Sequence, residues 1–314
     1  MKKIFSLLVL AVILTDAQSQ IHSPWTQYNQ VPYVQNAALS GIENFTDIKI
    51  GYKRQWSNFE GAPKTIFVGV NHTHALGNKD IESARPIKLG FSGYVAHNDY
   101  NFIKDTQLSL SYAVHVPLSS AYYLAMGLST SYNKMKADVQ ELIIRDTQDP
   151  IYTSFLNGNG AVNYFNVDAG VVLYSEKFYA GYSTQRLIRT RFNSDVPGDG
   201  EFNLRHALMV GYNYSLNHQW QIQPSVLYRH EAALDDIYNL TLKVRYEKKV
   251  WAGVGVRPKA SVSLLTGYRI NDTFAFSYSY DLSTGRTNTI SRGSHELILG
   301  ILPFNKGGQK TFFW

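Results

Sequence analysis

The stretch Tyr238-Asn-Leu-Thr-Leu-Lys-Val-Arg-Tyr-Glu247 sets the pattern for much of the chain. Every second residue from Tyr238 to Tyr246 is apolar, and every residue between them is polar or charged. The same alternation returns over residues 250–257, 261–269 and 274–281. A period of two residues is that of a β-strand, because successive side chains point to opposite faces. The sequence therefore predicts a series of strands that each have one apolar and one polar face.

Two all-β architectures fit this alternation. In a soluble sandwich the apolar face packs on a core and the polar face meets water. In an outer-membrane barrel the apolar face meets lipid, the polar face lines the lumen, and aromatic rings gather at both membrane interfaces. Tyrosines at the strand ends, together with 22 tyrosines and 23 glycines in the chain, favour the second architecture. We therefore predict an all-β fold, a transmembrane antiparallel outer-membrane β-barrel.

The alternation and the turn residues between its runs predict about 14 strands. An even number suits an antiparallel closed barrel with both chain ends on the periplasmic side. The odd-numbered connections then face outward, and they include three long ones, 134–162, 187–202 and 283–293. Most even-numbered connections are short, as periplasmic turns are, although the connection 74–85 is not. The predicted strands are 46–56, 64–73, 86–97, 105–116, 121–133, 163–173, 178–186, 203–215, 219–229, 238–247, 250–257, 260–270, 273–282 and 294–301.

The first residues have the features of a secretory signal peptide. Two lysines precede an apolar run over residues 4–14, and Ala17 and Ser19 occupy the small-residue positions of a cut before Gln20. The run is too short for a spanning helix. The predicted division of the chain is a signal peptide over 1–19, an N-terminal periplasmic or lumenal segment over 20–45, an outer-membrane barrel over 46–302 and a C-terminal tail over 303–314.

The sequence gives no reason to expect catalysis, a cofactor or a nucleic-acid partner. The formal net charge is +6 without a basic run, which does not predict nucleic-acid binding. His72 and His74 share one face of a strand, but the sequence places no third metal ligand beside them. The acids at Glu231 and Asp235–Asp236 are typical of a solvated outer loop rather than a calcium site. Serine, histidine and aspartate occur without a nucleophile elbow, so we expect no enzyme and no metal.

Four separate stretches share features with one known family. They are Trp25-Thr-Gln-Tyr28 through Gly41, Gly51-Tyr-Lys-Arg-Gln-Trp56 followed by Gly61-Ala-Pro63, Ser277-Tyr-Ser-Tyr-Asp281, and Gly293-Ser-His-Glu296. Together they resemble the PorP/SprF membrane proteins of the type IX secretion system of Bacteroidota, and the similarity covers nearly all of residues 20–302. The residues that match the family motifs are Gln55, Trp56, Gly61, Ala62, Pro63, Tyr280, Asp281, Gly293, Ser294, His295 and Glu296.

The resemblance implies a role in the outer membrane of a Gram-negative bacterium. It implies a component of type IX protein secretion, or of the associated gliding machinery, that acts in the export or cell-surface retention of cargo proteins. The partners it implies are the C-terminal domains of secreted cargo, the periplasmic ring of the secretion system and a peptidoglycan-binding component. The periodicity gives the barrel, and only the motifs point to this system.

The polar strand faces leave a porin-like channel open as a second interpretation. They place six cations in the lumen, which would suit a passive or substrate-selective path for anions. The competing interpretation is that these cations are neutralised by salt bridges across the lumen to Asp168, Glu247 and Asp281. The six residues are Lys49, Lys53, Lys88, Lys243, Arg245 and Arg269.

Apolar residues in the longest predicted outer loops are candidates for partner binding. Exposed apolar groups on a protein surface often mark interaction sites. The alternative is that these loops fold back into the barrel opening. The candidates are Ile143, Ile144, Tyr152 and Phe155 in the connection 134–162, and Ile188 and Phe192 in the connection 187–202.

Overall fold

The part of the chain that the structure describes forms one closed antiparallel sheet. The structure is a computed structural model, and it describes residues 24–57, 61–76, 85–137, 161–192, 203–232, 234–284 and 293–303. Each strand pairs with its neighbours along the chain, and β1 also pairs with β15, so the ring closes. The strands are β1 (Asp47–Arg54), β2 (Lys64–Leu76), β3 (Ile87–Tyr100), β4 (Ile103–Pro117), β5 (Tyr123–Ala137), β6 (Ala161–Tyr174), β7 (Phe178–Arg191), β8 (Arg205–Tyr212), β9 (Tyr214–Ser215), β10 (Trp220–Glu231), β11 (Ile237–Tyr246), β12 (Val250–Arg257), β13 (Ser261–Arg269), β14 (Phe274–Ser283) and β15 (Ser294–Ile301).

The short strand β9 continues β8, so the described ring has 14 transmembrane strands. Both segments pair with β10, and they are separated only by Asn213, whose N–H donates to the carbonyl oxygen of Lys177 at 2.6 Å. The prediction of a transmembrane antiparallel barrel with about 14 strands is confirmed. An even number brings both ends of the ring to the same side, which in outer-membrane barrels is the periplasm.

The two strand faces have the polarity that a membrane barrel requires. On β11, Leu242 is 45% exposed on the outside, whereas Lys243 is 5% exposed and faces the lumen. Aromatic pairs mark both ends of the outer apolar band on the β10–β11 pair. Their ring centroids are 4.9 Å apart in the pair Tyr228–Tyr238 and 4.7 Å apart in Trp220–Tyr246.

These two aromatic pairs have the spacing of the apolar band of an outer membrane. Tyr246 lies eight positions after Tyr238, which is roughly 27 Å along an extended strand. A strand tilt of about 40° reduces this to roughly 20 Å along the membrane normal, close to the band of about 25 Å in such barrels. The rings therefore lie where the two girdles belong.

Several outer strand ends differ from the predictions. β5 runs to Ala137 and β6 begins at Ala161, so the connection predicted over 134–162 is shorter. β7 likewise continues to Arg191 instead of ending at 186. The ladder continues here although the outward side chains have become polar, as at Lys134 and Lys136. The alternation of apolar and polar residues that identified the strands stops at the lipid boundary. The hydrogen bonds between the strands continue beyond it.

Residues 24–45, termed the lumenal segment, lie inside the barrel. All of them are buried except Val34 and Asn44, and they form three short 3-10 helices, Tyr28–Gln30, Pro32–Val34 and Ala37–Leu39. The residues that the structure describes include no helix long and apolar enough to cross a membrane.

The hydrophobic core of the molecule lies within the lumen. The two larger clusters to which the lumenal segment contributes are completed by inward-facing strand residues. One joins Tyr28, Leu39 and Ile42 to residues of β5–β10, and the other joins Trp25, Val31 and Tyr33 to residues of β2, β3 and β15. Burial of these side chains stabilises the segment by the hydrophobic effect.

Candidate functional site

A lane of small residues crosses the inner wall of the barrel under the lumenal segment. Gly90, Ala113, Gly127, Gly170 and Ser183 belong to five consecutive strands, β3 to β7, and each is paired in register with the next. We term this row the small-residue lane. A row of residues with little or no side chain lets another part of the backbone approach the sheet.

The lumenal segment occupies the space that the small-residue lane leaves. A Cβ atom added at Gly127 would overlap the backbone of Ala38, and one added at Gly90 would overlap the carbonyl group of Ser40. At Gly170 a Cβ would overlap the side chain of Asn36. The fit therefore depends on glycine at several positions of the lane.

Asn36 attaches the segment to the β6–β7 wall. Its Nδ2 donates to the carbonyl oxygen of Tyr182 at 3.2 Å, and its Oδ1 accepts from the N–H of Ala38 at 2.9 Å, which caps the third 3-10 helix. The Ser183 hydroxyl donates to the carbonyl oxygen of Gln35 at 2.7 Å. Buried backbone groups need such partners because leaving them unpaired is costly.

Further toward the periplasm, the segment is held by polar groups of β2, β3 and β4. His115 is fully buried, and its Nε2 lies 2.8 Å from the carbonyl oxygen of Ser40. The hydroxyls of Ser40 and Ser92 are 2.8 Å apart, and the N–H of Gly41 donates to Asn71 Oδ1 at 2.6 Å. These contacts fix the point where the segment leaves the lane.

The outer end of the lumenal segment is held by two buried carboxylates and a lysine. The Thr26 hydroxyl donates to Asp281 Oδ2 at 2.6 Å, and the Thr26 N–H donates to Glu296. Lys53 Nζ donates to the carbonyl oxygen of Pro24 at 2.9 Å and lies 3.8 Å from Glu296 Oε1. We term these contacts the N-terminal anchor. Charged acceptors make hydrogen bonds of this kind stronger than neutral ones do.

Of the residues that match the family motifs, Asp281 and Glu296 belong to this anchor, and others lie beside it where the first and last strands close the ring. The Trp56 N–H donates to Ser294 Oγ at 3.3 Å, which joins the end of β1 to the start of β15. The Gln55 N–H donates to the carbonyl oxygen of Pro63 at 2.9 Å across the first connection. Ala62, the motif residue before this proline, is buried.

Two motif glycines have backbone conformations that other residues rarely adopt. Gly61 has φ +72°, and Gly293 has φ +145°. A Cβ at Gly293 would lie 2.6 Å from the carbonyl oxygen of Asp281 and 2.7 Å from the hydroxyl of Tyr280. Glycine is favoured here for conformation and for space.

His295 and Glu296 have different environments because they are neighbours on a strand. Glu296 faces the lumen, whereas His295 faces outward, with its ring centroid 4.9 Å from that of Tyr280. The Tyr278 hydroxyl and His295 Nδ1 are 2.7 Å apart. The motif therefore supplies both the buried anchor and part of an outer aromatic surface.

Comparison with models of known protein families assigns this chain to a family. The model that describes the type IX secretion system membrane protein PorP/SprF matches residues 17–301. The chain belongs to the PorP/SprF family. As a PorP/SprF protein with a barrel fold, it is an outer-membrane component of the type IX secretion system.

Solved structures give more distant similarities to this PorP/SprF barrel. The outer membrane protein Omp33 of Acinetobacter baumannii is 12% identical, with 84% of this chain and 100% of that chain covered and a TM-score of 0.46. The monoaromatic hydrocarbon channel CymD is 10% identical, with 91% and 93% covered and a TM-score of 0.46. A comparison with curated proteins finds no match.

Two of the lumenal cations of this PorP/SprF protein, Lys49 and Lys53, have acidic partners other than the predicted ones. Lys49 pairs with Asp47, and Lys53 pairs with Glu296. Of the predicted acceptors, Asp281 binds Thr26, Asp168 accepts from Ser129 and from the N–H of Arg186, and Glu247 lies in an exposed turn. For Lys49 and Lys53, the acids within salt-bridge distance therefore lie on the same or the neighbouring strand instead of across the lumen.

The candidate partner-binding residues do not form one described site. Ile143, Ile144, Tyr152 and Phe155 lie outside the described residues. Ile188 belongs to β7 instead of a loop, pairs with Val167 and is 56% exposed on the outside of the barrel. Phe192 follows β7 directly and is 64% exposed.

The lumenal segment separates two open cavities. The cavity at the outer end has about 1240 Å³ of open space and reaches Trp25 and Gln35. The cavity at the periplasmic end has about 1260 Å³ and reaches Ile42 and Glu43. Among the residues that the structure describes, no three histidine, aspartate or glutamate side chains are placed to hold a metal ion.

Proposed function

We propose that this protein is a non-enzymatic component of type IX secretion that binds other proteins. It acts in the export or cell-surface retention of cargo, which it recognises through cargo C-terminal domains. Its periplasmic end contacts the periplasmic ring and a peptidoglycan-binding component, and the same assembly serves gliding where the cell glides. Family membership supports the secretion role.

The observation that carries a binding role is the filled lumen. The lumenal segment packs two hydrophobic clusters into the barrel and is hydrogen-bonded to strands on several sides. A passive pore needs a continuous polar path, and here dense apolar packing lies between the two cavities. A barrel filled in this way suits a rigid scaffold that presents its two ends and its loops to partners.

The alternative is a porin-like channel, passive or substrate-selective, and the cation-lined cavities at both ends favour it. Lys53 and Arg229 line the outer cavity, and Lys88 and Arg245 line the periplasmic one. Conduction would require displacement of the lumenal segment. Planar-bilayer recording separates the two functions, because a stable open pore supports the channel and a silent barrel supports the binding component.

The binding role predicts that an outer loop holds cargo. Trimming residues 140–158, which include Ile143, Ile144, Tyr152 and Phe155, should release one cell-surface protein into the medium while other secretion continues. The measurement is quantitative proteomics of the cell surface and of the culture supernatant. Heat-modifiable migration of the trimmed protein in outer-membrane fractions checks that the barrel still folds and inserts.

Two other outcomes of this experiment would change the assignment. An unchanged cargo distribution would remove this loop from the binding site, and Ile188 and Phe192 would be the next residues to replace, by serine. A loss of all type IX export would indicate a core role in the machinery instead of a role in retaining one cargo.

A further inference from the structure

The cavity at the outer end of the barrel, termed the outer vestibule, is rich in arginine. Five cationic side chains and two carboxylates line it, so cations outnumber carboxylates along its wall. The cations are Lys53, Arg186, Arg189, Arg205 and Arg229, and the carboxylates are Asp105 and Asp168. Low-dielectric walls of one charge sign concentrate the field within a cleft and attract ligands of the opposite sign.

An irregularity in the β6–β7 pair positions one of these arginines. Val167 pairs with Ile188 and Ala169 with Thr184, so residues 185–187 all lie opposite Asp168. Arg186 has φ +62°, and its N–H donates to Asp168 Oδ1 at 2.7 Å. Bulges commonly re-aim a side chain next to a functional site. Positive φ in a bulky residue persists only where surrounding contacts hold it.

The carboxylate of Glu231 is shared between the guanidinium groups of Arg186 and Arg205. Arg186 pairs with Glu231 at 2.5 Å, and Arg205 pairs with the other oxygen of Glu231 at 2.8 Å. One negative charge therefore faces two positive charges. The two lining carboxylates are also bound by neutral groups, since Asp105 accepts from Asn98 at 3.3 Å and Asp168 accepts from a backbone N–H.

Two tyrosine rings that line the vestibule are in contact with other side chains. The Arg189 guanidinium lies 4.0 Å from the ring centroid of Tyr164. The ring of Tyr94 packs on Phe67, with centroids 5.5 Å apart. A ring face covered in this way is not available to stack on a sugar ring, whereas a guanidinium stacked on an aromatic ring still places its positive charge at the wall of the vestibule.

We propose that the outer vestibule binds an acidic peptide segment of a secreted partner protein. The proposal rests on the protein-binding function above. Carboxylates suit guanidinium forks, which bind them in a bidentate manner. Amide side chains along the wall, such as Asn133, Asn166 and Gln107, both donate and accept, as a peptide backbone requires. The cavity is open at the outer end of the barrel, so an extended segment of chain can enter it from outside.

The test uses the full chain, purified in detergent, and two fluorescein-labelled decapeptides. In one peptide glutamate alternates with glycine, and in the other glutamine replaces glutamate. Fluorescence anisotropy should detect binding of the glutamate peptide, weakened by salt, and little binding of the glutamine peptide. Arg189→Gln should weaken binding at least about tenfold, the loss expected for a charge-assisted hydrogen bond. Arg189→Lys, which keeps the charge but not the fork, should lose part of it.

The matched control is Arg54→Gln, at an exposed position on the outside of β1. It removes the same charge from the same end of the barrel and should leave peptide binding unchanged. Equal losses from Arg189→Gln and Arg54→Gln, or equal binding of both peptides, would overturn the proposal. If Arg189→Gln does not show the heat-modifiable migration of a folded barrel, the comparison of Arg189→Lys with Arg54→Gln decides.

Three further outcomes separate this proposal from others. Tighter binding of an oligogalacturonate than of the glutamate peptide, with the same dependence on Arg189, would overturn the peptide in favour of an acidic glycan. If neither peptide binds while the loop-trimming experiment still releases one cargo, the vestibule is not the binding site but the proposed function stands. If Arg189→Gln abolishes peptide binding and cargo retention together, both are supported.

Discussion

Replacing Gly127 by alanine adds one methyl group at a point where the lumenal segment touches the barrel wall. The new Cβ would lie 2.6 Å from the Cα of Ala38, where 3.4 Å begins ordinary contact. The segment would therefore have to move by about 0.8 Å. A change of side-chain rotamer cannot relieve the overlap, because the contacted atoms belong to the backbone. Such a shift also disturbs the hydrogen bonds of Asn36 and Ser40.

We expect Gly127→Ala to lower the free energy of unfolding by about 2 kcal/mol, within the usual cost of overpacking. The matched control is Gly255→Ala on β12, which also faces the lumen but not the segment. There the Cβ would meet Ser263 at 3.3 Å and Leu265 at 3.6 Å. The control should be neutral or stabilised by up to about 1 kcal/mol, since alanine restricts the unfolded chain more than glycine does.

The measurement is urea unfolding of both variants in detergent micelles, followed by heat-modifiable gel migration. A planar-bilayer recording adds a second readout, because a displaced segment should raise the conductance of Gly127→Ala only. If the two variants lose equal stability, the cost is that of changing any strand glycine. Contact with the lumenal segment would then not explain the small-residue lane.

Three further predictions test the faces and the anchor. Leu242→Arg should cost about 2–4 kcal/mol near the membrane centre, while Lys243→Leu should be tolerated; equal defects in gel migration would contradict the assigned faces. Deleting residues 24–45 should leave a barrel that inserts but melts at a lower temperature and conducts in a planar bilayer; no change in either would mean that the segment does not close the lumen. Glu296→Gln should cost about 3 kcal/mol, because it leaves the buried Lys53 without its counter-charge; an unfolding midpoint equal to that of the unchanged protein would remove the anchor from the stability of the barrel.

The strands and their faces could be predicted because the signal is local. Leu242 and Lys243 are neighbours, and the period of two residues alone assigns them to lipid and lumen. The strand ends could not be predicted in the same way. Outward residues such as Lys134 meet water instead of lipid, so the alternation stops before the ladder does.

The lumenal segment could not be derived from a period, because it has none. Its position depends on contacts between residues far apart in the chain, such as Thr26 with Glu296, which are 270 positions apart. The sequence did carry a weaker signal in the glycines of β3, β5 and β6. A glycine within a strand often marks close approach of another backbone. Only the register, which pairs Gly127 with Gly170, aligns them into one lane.

The position of the N-terminal anchor links closure of the barrel to capture of the lumenal segment. Thr26 and Pro24 bind groups from β1, β14 and β15 and also Arg257 of β12, so the anchor is complete only when the last strand has paired with the first. The segment is surrounded by strands on all sides, and its contacts with the two strands of the β1–β15 seam stabilise that seam once the ring has closed. This coupling gives a physical reason why motif residues from both ends of the chain meet at one point.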